Sequence, residues 1–153
     1  MFTKNIIVSL VLITSLLVNP TKVIAEPLEI VNPIELTRNG QIQYFTTLYG
    51  ANINIVNKVI ECESKGIHGA VGDSGLSNGI FQFQKSTFYR MAKIYGEELN
   101  YSSEYDQLKL GVWAMSKPEL AREWTSYVAI QKGGTYTFYS RQLGKTFTVK
   151  CKL

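Results

Sequence analysis

Between residues 52 and 64 the apolar positions recur at helical spacing: Val56, Val59 and Ile60 occupy i, i+3 and i+4, and Glu63 follows at i+7. A carboxylate thus falls on the apolar stripe of a helix. Glu61, about 160° away at the helical period of roughly 100° per residue, belongs to the solvent side. Other helices are predicted by the same periodicity and its end signals. One runs from Gln41 to Tyr49 behind Asn39-Gly40 and closes on Gly50. Another spans Ser86 to Tyr95, with Ser86 or Thr87 as N-cap and Gly96 just past its end. Ser103-Glu104-Tyr105-Asp106 resembles a capping box and opens a fourth, with Leu108, Val112 and Met115 on one face and Trp113 at its border. A short fifth, starting between Ser116 and Pro118, carries Leu120, Trp124 and Tyr127.

Two stretches depart from helical spacing. Residues 65–79 hold Gly66, Gly69, Gly72, Gly75 and Gly79 with Asp73, Ser74, Ser77 and Asn78, a composition for turns. After Gly133-Gly134, Thr135-Tyr136-Thr137-Phe138-Tyr139 and Thr146-Phe147-Thr148-Val149 flank Gly144 and predict a β-hairpin. The fold class is therefore mainly α, of α+β type. A helical domain over 41–130 carries the glycine-rich loop, a hairpin extension occupies 131–153, and Pro27 and Pro33 mark 26–40 as an extended lead-in. There are no internal repeats.

Residues 1–25 read as an export signal: Lys4, an apolar run from Ile6 to Val18, and Val23-Ile24-Ala25 with small residues at the cleavage positions. The run falls short of the ~20 apolar residues of a comfortable membrane span, so no stable span is expected once it is cleaved. The expected location is periplasmic or extracellular. Cleavage after Ala25 removes Lys4 and Lys22 and lowers the formal +4 charge by two. What remains has the length of one domain, and its charge is too small to argue for nucleic acid. Cys62 and Cys151 both lie in the mature chain, where an oxidising compartment lets them pair; the other reading is two free thiols. Two cysteines and the single His68 do not compose a metal site.

Glu63 is the first candidate for chemistry. A carboxyl group on a core-facing stripe must pair with a cation or stay protonated at a raised pKa, because burial disfavours its charged form. A protonated carboxyl at neutral pH is what a general acid requires. Alternatively the helix ends at 63 or 64 and Glu63 reaches water. Asp73, in Gly72-Asp73-Ser74-Gly75, either serves local turn hydrogen bonds or acts as a second carboxylate across a cleft. That turn lacks the Gly-Lys-Ser/Thr ending of a phosphate-binding P-loop.

Val59-Ile60-Glu61-Cys62-Glu63-Ser64, followed by Gly75-Leu76-Ser77-Asn78-Gly79-Ile80-Phe81-Gln82-Phe83 and Ser86-Thr87-Phe88, resembles the lysozyme-like domain of soluble lytic transglycosylases, particularly small exported members. The similarity starts near residue 42 and continues through Asp106-Gln107 and Trp113 to Trp124-Thr125. It rests on the Glu-Ser pair at a helix end and the downstream Gly-hydrophobic-x-Gln motif.

The resemblance implies a lysozyme-like fold and cleavage of the β-1,4 bond after N-acetylmuramic acid in peptidoglycan strands. Glu63 would be the sole acid/base: it protonates the glycosidic oxygen, then takes the proton of the sugar's 6-hydroxyl as that oxygen closes a 1,6-anhydro ring. No metal or organic cofactor is implied. The implied substrate contacts are Ser64, Gly79, Phe81 and Gln82. Phe81 and Trp124, nearest the motifs, are the aromatic candidates for a sugar cleft, among Phe83, Tyr89 and Trp113. The family's Ala-Tyr-Asn motif, whose Tyr contacts the acid, is absent; Trp124-Thr125-Ser126-Tyr127 stands near its place, so Tyr127 either takes that role or packs in the core. Ser126 replaces the Cys that small members often carry there. Two rivals share these residues. One is a hydrolytic muramidase that uses Asp73 at the ~6.5–9.5 Å carboxylate separation of inverting enzymes. The other is a catalytically silent wall-binding or assembly module that recruits a secretion or conjugation apparatus; on any of these readings a monomer is expected.

Overall fold

The helix that carries Glu63 is fixed at both ends. Asn52 sits in extended conformation and its Oδ1 accepts from the N–H groups of Asn54 (3.0 Å) and Ile55 (3.3 Å), opening α2 (Ile53–Ser64). Lys65 closes it in the left-handed region (φ 54°), donating its N–H to Glu61 O. Val56, Val59 and Ile60 are buried, Glu61 is exposed and Glu63 is half-buried, as the stripe predicts. The computed structural model describes residues 31–141 and 143–152; the expected export signal at 1–25 and residues 26–30 of the lead-in lie outside them.

Six helices and two small antiparallel sheets are seen among the described residues: α1 (Arg38–Tyr49), α2, β1 (Val71–Gly72), β2 (Ser77–Asn78), β3 (Phe83–Gln84), α3 (Lys85–Tyr95), α4 (Glu104–Met115), α5 (Pro118–Ala121), α6 (Thr125–Gln131), β4 (Thr135–Ser140) and β5 (Lys145–Lys150). The architecture is α+β with helices predominant. α4 runs through the middle with Leu108, Leu110, Val112 and Ala114 fully buried. α1 packs on it, α2 packs on α6, and Phe45, Phe81, Phe83, Phe88 and Met91 fill the space between. No helix among the described residues is long and apolar enough to cross a membrane.

Five features differ from the sequence pattern. In α1, Thr37 Oγ1 accepts from Gly40 N–H (3.3 Å), which takes Asn39-Gly40 into the helix as first-turn residues. The lead-in is also less extended than expected, because Asn32 caps a 3-10 turn over Pro33–Glu35. In α3, neither Ser86 nor Thr87 is the N-cap: β3 runs directly into the helix, and Gln84 holds the cap position without a side-chain bond. The expected fifth helix is two. Trp124 adopts an extended backbone (φ −88°, ψ 116°) and its Nε1 donates to Phe81 O at 2.7 Å, so the chain leaves the helix to seat the indole. Finally, 65–79 is not only turns, since β1 and β2 fall within it and pair antiparallel in the order β1-β2-β3. Two-residue strands are too short to show alternation.

The C-terminal hairpin forms with Thr135 opposite Lys150 and Ser140 opposite Lys145. It packs on α6, and Cys151 N–H donates to Gly134 O at 2.8 Å. Cys62 and Cys151 are joined in a disulfide across 89 residues, their Cα atoms 5.4 Å apart. The hairpin is thereby fastened to the helix of Glu63, within the single unit formed by Val31–Leu153.

Candidate active site

The glycine-rich segment becomes a platform because its side chains divide between core and cleft. Gly79 has φ 83°, and a Cβ on it would collide with the amide of Gln107, a buried residue whose Nε2 donates to Tyr101 O. Ile80 and Phe81 then plunge into the core with no exposed surface. Phe81 covers Gly111 of α4, where a Cβ would strike its ring. Gln82 follows at φ 49° and turns back; its Nε2 donates to Ala70 O (2.9 Å) and Gly79 O (2.8 Å). Ser64 ties this platform to α2 by donating to Ile80 O at 2.8 Å, with Ile60 O a second acceptor at 3.2 Å.

Between that platform, the α5–α6 break and the hairpin lies a cleft of about 850 Å³. Glu63 and Asp73 both line it, with Ser77, Gln82, Gln84 and Thr87 on one side, Glu123, Trp124 and Thr125 at the break, and Phe138, Ser140, Leu143 and Phe147 from the hairpin. Arg90 pairs with Glu123 at the rim.

The Glu63 carboxyl holds its proton above the usual carboxylate range. Burial is the main cause, the charge of Asp73 adds to it, and the hydrogen bond that Ser126 Oγ donates to Glu63 Oε1 works the other way by stabilising the ionised form. Ser126 is itself buried at the start of α6. Asp73 is held at the cleft by an acceptor bond from Ser77 Oγ (2.6 Å), in a backbone with φ 50° at Asp73 and 57° at Ser74. One half-buried acid held by a hydroxyl thus shares the cleft with a second, exposed carboxylate. Such a pair can protonate a leaving-group oxygen while keeping a negative charge near a developing cation.

The site residues read from the sequence fall into three groups. Glu63, Asp73, Gln82 and Trp124 line the cleft. Ser64, Gly79 and Phe81 do not: their burial makes them supports, Ser64 as a staple, Gly79 as the turn and Phe81 as a core plug whose carbonyl holds Trp124. Gln82 lines the cleft but spends its amide N–H groups on the loop, so it also braces. Tyr127 packs against the core and is outside the cleft lining, because the α5–α6 break rotates position 126 toward Glu63 instead. The group that orients the acid is Ser126. His68 is a loop residue, its Nε2 3.2 Å from Ser102 O. No family model, no curated protein and no solved structure matches this chain.

Proposed function

We propose that this protein cleaves the β-1,4 bond between N-acetylmuramic acid and N-acetylglucosamine in peptidoglycan strands by lytic transglycosylation, in an extracytoplasmic compartment. The observation that carries the proposal is Glu63: a half-buried carboxyl with raised proton affinity, held by Ser126, at the wall of a cleft of about 850 Å³. Its proton goes to the glycosidic oxygen as the bond to the anomeric carbon breaks. The Glu63 carboxylate then accepts the proton of the 6-hydroxyl while that oxygen bonds to the anomeric carbon, which restores the acid and releases a 1,6-anhydro end. The substrate supplies the nucleophile, so a second carboxylate is unnecessary.

Asp73 favours a second reading, hydrolysis, because it faces the same cleft and its charge acts on Glu63. Digestion of purified wall followed by mass spectrometry separates the two. The expected products end in anhydro sugars, lighter by one water than the reducing ends that hydrolysis leaves. Reducing ends would assign the water to Asp73. No cleavage at all would leave a wall-binding module.

Replacing Ser126 tests the acid directly. Glu63 must be protonated to act, so kcat/KM falls on the alkaline side as the proton is lost. Ser126→Ala removes a donor to the ionised form and makes ionisation harder. The alkaline limb is expected to move to higher pH, with a rate loss of roughly 10-fold for a lost bond to a charged group. Asp73→Asn removes a neighbouring negative charge and should move the limb the other way. Limbs that stay in place in both variants would show that another group titrates.

A further inference from the structure

The hairpin presents one face to the cleft. Cross-strand partners share a face in an antiparallel pair, so Tyr136, Phe138 and Ser140 lie beside Val149, Phe147 and Lys145, while Thr137, Tyr139, Thr146 and Thr148 occupy the opposite, exposed side. On the inner face three rings form a nearly parallel strip: Tyr136 on Phe138 with centroids 5.6 Å apart and planes 19° apart, and Phe138 on Phe147 at 5.7 Å and 22°. Lys132 sits over the Tyr136 ring at 4.7 Å, which closes the root end of the strip. Phe138 and Phe147 line the cleft, and Phe147 keeps 37% of its surface exposed.

The rest of the lining mixes polar side chains with Leu76, Phe83, Trp124 and Leu143. Gln84, Thr87, Glu123 and Thr125 offer hydrogen-bonding groups, and Trp124 is committed by its Nε1 to Phe81 O and buried against Phe81 and Phe83. An occupant must therefore show one apolar face and an edge rich in hydroxyl or amide groups. A pyranose ring does both: its axial C–H groups form a flat apolar face and its equatorial substituents ring the edge. A lipid chain lacks the polar edge, and a peptide backbone has no ring-sized apolar plane of its own, whereas each pyranose unit of a glycan carries both.

We infer that Phe138 and Phe147 of the C-terminal hairpin form an aromatic sugar-binding subsite that holds an N-acetylated hexose of the glycan strand beside the Glu63 centre. The subsite rests on the glycan-cleaving reading. It gives the hairpin a binding role and explains why the disulfide fastens it beside Glu63.

The test is calorimetric titration of a soluble hexasaccharide of alternating N-acetylglucosamine and N-acetylmuramic acid into the Glu63→Gln protein, which leaves the ligand intact. Adding Phe138→Ala with Phe147→Ala is expected to weaken binding about tenfold, the loss of one well-stacked ring face. Adding Phe138→Tyr with Phe147→Tyr should restore it, since the ring faces return. Tyr139→Ala, an exposed ring on the opposite face, should bind as its parent does. Alanine variants that bind within twofold of the parent would overturn the subsite, and so would an equal loss from Tyr139→Ala, which would assign the effect to hairpin stability. Wall cleavage by the wild-type protein, measured in parallel, separates that result from failure of the glycan reading: cleavage with unchanged alanine-variant binding removes the subsite alone. If the wild type does not cleave wall and the Glu63→Gln parent does not bind the hexasaccharide, both fall.

Discussion

Glu63→Gln is expected to lower cleavage of purified glycan strands by at least about 100-fold, the lower range for loss of a positioned acid/base. The amide is nearly isosteric and can still accept from Ser126, so the cleft keeps its shape while the transferable proton disappears. Glu61→Gln, two residues away on the exposed side of α2, should retain full activity. Stability should move in the opposite direction from activity. The folded-state pKa of Glu63 is raised, so the folded state binds its proton more tightly than the unfolded chain does. That contribution is fully present below the unfolded value of about 4.3 and is lost as pH rises through the folded value. Once pH exceeds the folded value, the wild type therefore carries a half-buried charge that the variant lacks. Thermal melts should show the Gln variant gaining stability relative to wild type as pH rises from about 4. Parallel pH dependences would show that Glu63 is solvated, and an active Gln variant would remove it from the chemistry.

What could be read from the sequence follows from the range of the interactions involved. Helical phase is local, and it placed Glu63 on the stripe and Glu61 off it because both depend only on the twelve residues of α2. End signals at Gly50, Gly96 and Ser103 are equally local, and each acts where expected. Ser126 was not legible as the partner of Glu63. Its position depends on the break that Trp124 makes to reach Phe81 O, a bond across 43 residues. The available signal was indirect: a serine two residues past a tryptophan, where a cysteine was expected, with the only other cysteine far away at 151. Phe81 and Gly79 misled for a related reason. Their motif is a loop motif, and only the packing of Phe81 on Gly111 and of Gln107 on Gly79 reveals that both are buried. The hairpin could be predicted as an element from its Thr and aromatic alternation, but its docking onto the cleft is set by α6 and the disulfide.

That disulfide carries the second large expected effect. Joining Cys62 to Cys151 closes a segment of 89 residues, and in the chain-entropy picture such a link removes on the order of 4 kcal/mol of freedom from the unfolded state. Cys62→Ser with Cys151→Ser is therefore expected to lower the melting temperature by roughly 15 °C for a domain of this size. Wild type in excess reductant should fall to the same value, and the double variant should ignore reductant; a difference under about 3 °C would mean the link does not restrict the unfolded chain. The two ends of the bond make a second consequence separable from the first. Cys62 precedes Glu63 on α2, while Cys151 follows β5 directly, so cutting the link frees the hairpin's C-terminal strand and leaves it held by its packing on α6 and by the Cys151 N–H bond to Gly134. At a temperature where both forms remain folded, KM for long glycan strands should therefore rise while kcat changes little, because Glu63, Ser126 and Trp124 keep their places in α2 and at the α5–α6 break. A fall in kcat with unchanged KM would show instead that the bond positions the acid and not the wall of the cleft.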